Sequence, residues 1–189
     1  MKEIIKMLVV LSAICGVCGL LLAGVRAMTA ETIASQELLF VKGPAVKRVL
    51  EGSDNDLMGD RAIIEVDGTE YTVFVGKKGG KTWAVAYETT GQGFGGDIGV
   101  ITGINLETDL LTGIGITTHK ETPGLGSHVE DSDFSDRFTG RSVAESFMAT
   151  LDGGVIDAVT GATNSTRGVC EGVRKSVGVY SAIKSKVMQ

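Results

Sequence analysis

Proline, cysteine and concentrated positive charge are all scarce in this sequence, and each shortage excludes a class of protein. Only two prolines, Pro44 and Pro123, occur among 189 residues, which excludes a proline-rich linker. Of the three cysteines, Cys15 and Cys18 lie inside an apolar run, so Cys170 lacks a partner and a disulfide framework is excluded. The net charge is −5 and no basic stripe is interleaved with aromatic residues, so we expect no nucleic acid partner.

The N-terminal region contains a long apolar run. Met7–Val25 has no charged residue, and a helix over it spans roughly 28 Å at about 1.5 Å per residue, enough to cross a membrane. Lys2 and Lys6 precede the run, so the positive-inside rule places the tail 1–6 in the cytoplasm, although Arg26 lies on the far side. A cleaved signal peptide is the main alternative, but the run is long for a signal core and lacks a clean A-x-A site. We predict a retained transmembrane helix over 7–25.

Residues 26–60 have mixed composition, and we interpret them as a segment connecting the membrane to an extracytoplasmic domain over 61–189. From residue 61 onward, apolar residues alternate with a period of two, which predicts strands. Short turns separate these strands, and Asp67-Gly68 is typical of a tight hairpin, so we expect a mostly antiparallel sheet. The predicted strands are Ala62–Val66, Tyr71–Val75, Thr82–Tyr87, Ile98–Ile104 and Leu110–Thr117.

Beyond residue 119 the pattern changes from strands to loops and helices. Short helices are predicted at Asp131–Phe138 and Ser142–Leu151, and a longer one follows with its apolar residues near one face. The residues on that face are Val169, Val173, Val177, Tyr180 and Val187. Hairpins followed by packed helices predict the α+β fold class for the domain behind the transmembrane helix.

The stretch Gly91–Gly96 satisfies the pattern G-x-G-x-x-G, which occurs in dinucleotide-binding folds. In such folds a helix follows the glycines and its N terminus holds the pyrophosphate. Here the next segment, Ile98–Ile104, has the pattern of another strand. We therefore interpret the glycines as a flexible turn between strands and expect no NAD site.

A second stretch, H-K-E-T-P-G-L-G from His119 to Gly126, combines a rigid proline with two permissive glycines. A loop of this kind can direct several backbone groups at one planar ligand, whereas an ordinary tight turn is the alternative. A metal site formed by His119, Glu121 and His128 is a third possibility, but the spacing is irregular and we expect no metal.

A third stretch, D-A-V-T-G-A-T from Asp157 to Thr163, precedes the long helical pattern. Helix capping alone could explain its hydroxyl residues. A helix N terminus also offers free N–H donors and partial positive charge, which favour a phosphate. Gly161 and Ala162 leave room for it, and the hydroxyl could bind or be esterified to that phosphate. No histidine or cysteine is placed to activate Thr163, so we expect no catalytic residue, and another enzyme would have to form such an ester.

These three stretches resemble the signatures of the FMN-binding domain family. D-A-V-T-G-A-T is similar to its flavinylation motif, approximately D-x-x-[ST]-G-A-[ST], whose last residue carries FMN through a phosphoester bond. H-K-E-T-P-G-L-G and G-Q-G-F-G-G-D-I resemble two further signatures, and the three occur in the family's order. A membrane span followed by one such domain is similar to the G-type component of Rnf complexes, and the related C-type component of sodium-translocating NADH:quinone reductase is the alternative.

The resemblance implies that FMN is attached covalently to Thr163. A flavin transferase would cut FAD and attach FMN, recognising Asp157, Gly161 and Ala162 together with the threonine. The implied cofactor-binding residues are Thr160, Gly161 and Ala162 at the phosphate, with Glu121, Thr122, Gly124 and Leu125 at the isoalloxazine ring.

The resemblance further implies an electron carrier that works with other membrane subunits. Together they would move electrons between ferredoxin and NAD and couple this to Na⁺ or H⁺ transport. The implied location is the cytoplasmic membrane of a bacterium or archaeon, with the domain on the periplasmic or extracellular side. A hypothesis of another class is a membrane-anchored binding or assembly module without flavin, supported by the anchor, the glycine-rich sheet and the capping explanation.

Overall fold

The computed structural model describes residues 2–188, and the chain forms two compact units, one up to Phe40 and one from Val41 onward. The first unit consists mainly of α1, Lys2–Gln36, in which no residue is buried. A π-helical stretch, Glu37–Lys42, and then α2, Gly43–Val49, follow along the chain. Within the described residues, this helical run is the one long and apolar enough to cross a membrane, and it includes the predicted 7–25 span.

The second unit contains a five-stranded antiparallel sheet in which every strand pairs with its neighbours in sequence. The strands are β1 Arg61–Val66, β2 Thr69–Lys78, β3 Lys81–Gln92, β4 Asp97–Asn105 and β5 Leu111–Thr118. At the β1–β2 turn, Asp67 and Gly68 both have positive φ, 51° and 77°, as a type I′ hairpin requires. The predicted α+β class and antiparallel sheet are confirmed.

One face of the sheet is covered by α4, Thr163–Val187. The first half of the helix packs Val169 and Val173 against Ile98 and Val100 of β4. Its second half buries Tyr180 and Ile183 in an adjoining cluster that includes side chains of β1, β2 and β3. The apolar face predicted from the sequence is therefore the face that forms the core.

The backbones of α4 and β3 come into direct contact at Gly91. A β carbon built on Gly91 would lie 1.9 Å from the carbonyl oxygen of Gly168 and 2.8 Å from the nitrogen of Gly172. Beside this contact, the Thr89 hydroxyl donates a hydrogen bond of 2.8 Å to the Gly172 carbonyl. Glycines on both elements thus set how closely the helix approaches the sheet.

The other face of the sheet is partly covered by α2, which changes our interpretation of residues 26–60. We predicted a connecting segment outside the domain, whereas the second compact unit already begins at Val41. Val46 and Val49 are buried, and the β carbon of Val49 lies 2.9 Å from a β carbon built on Gly103 of β4. Burial of this apolar surface makes the second half of the segment part of the domain.

Between β5 and α4 the chain forms short helical turns and irregular loops. The helix predicted near 131–138 is present as α3, Ser132–Ser135, and a 3₁₀ turn, Asp136–Phe138. The helix predicted at Ser142–Leu151 is wrong, because most of this stretch is irregular. Ser142 bridges to Leu110 and Ala149 to Ile156, so backbone groups that a helix would use are paired elsewhere.

Substitution of Gly91 by alanine tests the close contact between α4 and β3. Gly91→Ala is expected to lower the free energy of unfolding by about 1–3 kcal/mol, because the added methyl group forces the backbones apart. Gly178→Ala is the matched control, since this helical glycine has open space around it and alanine favours a helix by up to about 1 kcal/mol. Chemical denaturation of the full-length protein in detergent measures both, and equal values for the two variants would contradict the packing argument.

Asp109 gives the fold a predicted pH dependence. Hydrogen bonds from Lys184 Nζ (2.6 Å) and the Tyr180 hydroxyl (2.5 Å) hold the pKa of its carboxyl below the ordinary value. Because the folded-state pKa is depressed, the stabilisation is present above the unfolded-state pKa and is lost as pH falls through the folded-state pKa. We expect Asp109→Asn to reduce the melting temperature at pH 7 and to differ progressively less from the unsubstituted protein below about pH 4. A difference that stays constant down to pH 2 would exclude this linkage.

Candidate functional site

The three sequence stretches singled out above meet at one pocket of the second unit. Its volume is about 390 Å³, within the ~300–1,000 Å³ typical of small-molecule sites. The pocket is lined by Phe94, Glu121, Thr122, Leu125, Gly126, Gly161, Ala162, Thr163, Asn164 and Ser165. Residues far apart in the chain are thus brought together by the docking of α4 on the sheet.

The β3–β4 connection forms one wall of the pocket. Gly93 donates its N–H to the Gly96 carbonyl at 2.9 Å, and Gly95 donates to Glu121 Oε1 at 2.8 Å. The Phe94 side chain is 73% exposed although it lines the pocket, so it offers an uncovered aromatic surface. Our interpretation of Gly91–Gly96 as a flexible turn was incomplete, because its glycines make close packing contacts and one of them donates to a buried carboxylate.

The loop after β5 forms the second wall. The Thr122 carbonyl accepts hydrogen bonds from the N–H groups of Leu125 (3.2 Å) and Ser127 (3.3 Å). Gly124, with φ of 75°, donates its N–H to Ser127 Oγ at 2.9 Å. These bonds form a tight turn that leaves the Leu125 side chain 51% exposed at the pocket.

Glu121 connects both walls to the start of α4. Its side chain is buried, and its Oε2 accepts a hydrogen bond of 2.5 Å from the Ser165 hydroxyl. The Glu121 N–H donates to His119 Nδ1 at 3.0 Å, while His119 Nε2 lies 2.8 Å from Glu130 Oε1. The imidazole is therefore engaged on both sides, with Nδ1 as an acceptor.

The start of α4 forms the third wall. Ala162 is the N-cap residue and Thr163 the first helical residue, and no side chain in residues 2–188 caps this end. Ser165 bonds to Glu121, and Thr166 Oγ1 accepts the Val159 N–H at 3.1 Å. The first backbone N–H groups of a helix lack intrahelical acceptors, and here they belong to Thr163, Asn164 and Ser165, which all line the pocket. The local capping explanation of these hydroxyl residues does not match this arrangement.

The structure brings most of the predicted site residues together. Those that line the pocket are Glu121, Thr122, Leu125, Gly161, Ala162 and Thr163. Three others do not line it: Gly124 supplies the turn beside Leu125, Thr160 is exposed, and Asp157 is exposed with its carbonyl bonded to Arg137.

Four lining residues had been assigned no contact from the sequence, namely Phe94, Gly126, Asn164 and Ser165. Phe94 and Gly126 belong to two of the quoted stretches, and Asn164 and Ser165 are the two residues that follow the third. Their proximity to the three stretches in the sequence could therefore have indicated these residues, but the sequence does not show the direction in which each side chain points.

The residues considered for a metal site are each engaged elsewhere. His119 pairs with Glu130, His128 Nδ1 lies 2.8 Å from Asp131 Oδ2, and Glu121 accepts its two neutral donors. In the part of the chain that the structure describes, no group of three such side chains is close enough to hold a metal ion.

The residues that line the pocket are suited to binding a ligand. The lining residues combine apolar surface with the N–H donors of a helix N terminus and two hydroxyls at that end, of which Ser165 bonds to Glu121 and Thr163 does not. Cys170, farther along α4, is no nucleophile at neutral pH, because burial raises the pKa of its thiol to about 12. This combination suits a ligand with a planar apolar part and a phosphate.

The part of the chain that forms this pocket matches a known protein family. Residues 93–178 match the FMN-binding domain family. The chain is 32% identical over 142 residues to the G component of the ion-translocating oxidoreductase complex of Cereibacter sphaeroides, covering 71% of this chain but 64% of the relative. It thus spans somewhat less than two thirds of that relative's length.

Two further relatives are covered more completely. The G component of the ion-translocating oxidoreductase complex of Vibrio atlanticus is 32% identical, over 83% of this chain and 80% of the relative. The G component of the Na⁺-translocating ferredoxin:NAD⁺ oxidoreductase complex of Acetobacterium woodii is 31% identical, over 79% and 73% respectively. Among solved structures, NqrC of Shewanella oneidensis has the same fold, with a TM-score of 0.55, 21% identity and 72% of each chain covered.

Gly126 provides a test of the carboxylate contacts. A β carbon there would lie 2.6 Å from Glu121 Oε2 and 2.7 Å from Ser165 Oγ, so Gly126→Ala is expected to separate these groups. We expect a loss of about 1–3 kcal/mol in unfolding free energy and faster amide exchange at Gly95, whose acceptor is displaced. Gly124→Ala is the control, because it strains the backbone in open space and should leave Gly95 exchange unchanged. Unchanged Gly95 exchange in Gly126→Ala would refute the expectation.

Proposed function

Because this chain belongs to the family of G components of ion-translocating oxidoreductase complexes, we propose that it is an electron-transfer subunit carrying FMN bound covalently to Thr163. The observation that carries the proposal is the position of this threonine. It is the first residue of α4, and it lines the same pocket as the exposed Phe94 and Leu125 side chains.

The phosphate end of FMN fits the start of α4. The first N–H groups of a helix and its dipole favour a phosphate by typically ~0.3–1 kcal/mol for each charge at an exposed end. Gly161, with φ of 78°, and Ala162 place the chain before the helix without bulky side chains. Thr163 Oγ would then be the ester oxygen, Thr160 would lie near the phosphate, and Asp157 would be recognised by the transferase.

The attachment is a phosphoryl transfer from FAD. Thr163 Oγ forms a bond to the phosphorus on the flavin side, the bond between this phosphorus and the oxygen bridging to AMP breaks, and AMP leaves. The hydroxyl proton is released, and no oxidation state changes. A separate flavin transferase supplies the catalysis, because Glu121, the one titratable side chain lining the pocket in residues 2–188, already accepts two hydrogen bonds.

The ring end of FMN fits the two loop walls. Leu125 and Phe94 offer apolar surface to the isoalloxazine ring, and Thr122 and Gly124 shape the turn that presents Leu125. Burial of this surface by a planar ligand is favourable at about 25 cal/mol per Å². FMN supplies the redox chemistry, and the residues of this chain bind it, orient it and exclude water from it.

The proposed setting is a single-pass membrane protein within a larger complex. In this proposal the α1 segment anchors the chain, and Lys2 and Lys6 favour a cytoplasmic N terminus, so the pocket would lie on the periplasmic or extracellular side. The partners are other subunits of an Rnf-type complex that moves electrons between ferredoxin and NAD and is coupled to Na⁺ or H⁺ transport. A covalent bond keeps the cofactor from being lost outside the cell.

Intact-mass spectrometry after co-expression with a flavin transferase tests the proposal. We expect a mass increase of one FMN less one water, a yellow protein, and flavin that survives denaturation. Thr163→Ala should remove the increase, while Thr163→Ser should retain it because the hydroxyl remains.

An unmodified protein from the competent host would contradict the proposal, and so would an adduct that persists in Thr163→Ala. A colourless protein that still assembles with its complex would instead support the membrane-anchored module without flavin. The alanine variant is expected to fold, because Thr163 contributes no side-chain cap to α4.

A further inference from the structure

The pocket contains a buried carboxylate that the proposed attachment does not require. Glu121 is 5% exposed and lines the pocket, yet it forms no salt bridge with any residue that the structure describes. Removing an ionised carboxylate from water costs several kcal/mol unless other groups compensate. The burial of such a group in a ligand pocket therefore indicates either compensating contacts or a function for the charge.

Neutral donors compensate the carboxylate. Oε1 accepts the Gly95 N–H at 2.8 Å and Oε2 accepts the Ser165 hydroxyl at 2.5 Å. Ser165 lies in the first turn of α4, whose N-terminal partial positive charge also favours an anion. These partners are neutral groups and a helix dipole, and none of them carries a formal positive charge that would cancel the negative charge of the carboxylate at the pocket wall.

Glycines on two loops are shaped around this carboxylate. A β carbon on Gly93 would lie 2.4 Å from Oε1, and one on Gly126 would lie 2.6 Å from Oε2. Gly95, the donor, is equally confined, because its β carbon would lie 2.0 Å from the Lys120 carbonyl oxygen. The glycine motif whose dinucleotide interpretation failed therefore has a role, since it admits and binds the Glu121 side chain.

We propose that the Glu121 carboxylate is the fixed negative charge that lowers the reduction potential of FMN in this pocket. The inference rests on the proposed function. Reduction adds negative charge to the flavin, and a like charge held nearby in a poorly solvated site opposes it. His119 and Ser165 are positioning residues, because they hold the backbone and the carboxylate of Glu121.

The test compares the flavin midpoint potentials of three variants with that of the native holoprotein, by spectroelectrochemical titration. Glu121→Gln removes the charge and keeps the shape of the side chain. We expect its midpoint potential to be more positive by about 59 mV, which corresponds to a tenfold larger equilibrium constant for one-electron reduction. Ser165→Ala keeps the charge and removes one donor, so it should shift the potential in the negative direction. Asp133→Asn, which removes an exposed carboxylate on α3, is the control and should produce no comparable shift because solvent screens that charge.

Opposite shifts in Glu121→Gln and Ser165→Ala identify an electrostatic effect. Shifts of the same sign in both would show that Glu121 only holds the loops together, and a Glu121→Gln shift no larger than that of Asp133→Asn would likewise overturn the inference. If Glu121→Gln does not fold, the sign of the Ser165→Ala shift decides.

Intact mass is measured before each titration, which separates this inference from the proposed function. Absence of the FMN adduct in the native protein refutes the proposed function. A loaded protein whose potential does not respond refutes the role of Glu121 alone. Thermal unfolding of the same variants without flavin serves as the second readout. A purely structural role predicts that Glu121→Gln and Ser165→Ala both lower the melting temperature but do not shift the midpoint potential in opposite directions.

Discussion

Direct contact between the backbones of α4 and β3 is the constraint on which the rest of the site depends. Gly91 on the strand and Gly168 and Gly172 on the helix allow this contact, since a β carbon on Gly91 would overlap the helix backbone. The helix start then lies between the β3–β4 connection and the loop after β5. Thr163 and Ser165 thereby reach a pocket formed by residues some 40 to 70 positions earlier in the chain.

Different structural elements contribute different parts of the site. A rigid helix N terminus presents the hydroxyl and the N–H donors, and two turns present apolar side chains. Glu121 joins the three parts through its backbone and side chain. Such an arrangement suits electron transfer, because a cofactor that only gains and loses electrons needs position and a defined field more than acids and bases.

The sheet could be predicted because its signals are local. Alternating apolar residues and the Asp67-Gly68 turn specify hairpins without reference to distant parts of the chain. The burial of α2 could not be predicted, since a seven-residue helix carries little periodicity and its apolar residues contact β4 and β5, which come much later in the chain. The Ser142–Leu151 helix was mispredicted because pairing with Leu110 and Ile156 outweighs local helical propensity.

The same difference between local signals and contacts of distant segments explains which residues of the site could be predicted. Thr163 and the loop at 121–125 could be proposed from short motifs and their order along the chain. The contributions of Phe94, Gly126 and Ser165 could not, because each depends on which loop lies opposite in the folded chain. The glycines of Gly91–Gly96 show this most clearly, since their pattern fits several structures and only the packing partner decides among them.

The order of the elements along the chain has a consequence for maturation. All five strands precede α4, and each pairs with a sequence neighbour, so the sheet can assemble from successive hairpins as the polypeptide emerges. The helix start becomes the third wall only when α4 has docked on that finished sheet. A modifying enzyme that recognises the presented loop and hydroxyl would thus encounter its substrate only in chains that have completed their tertiary structure, and attachment would serve as a checkpoint on folding.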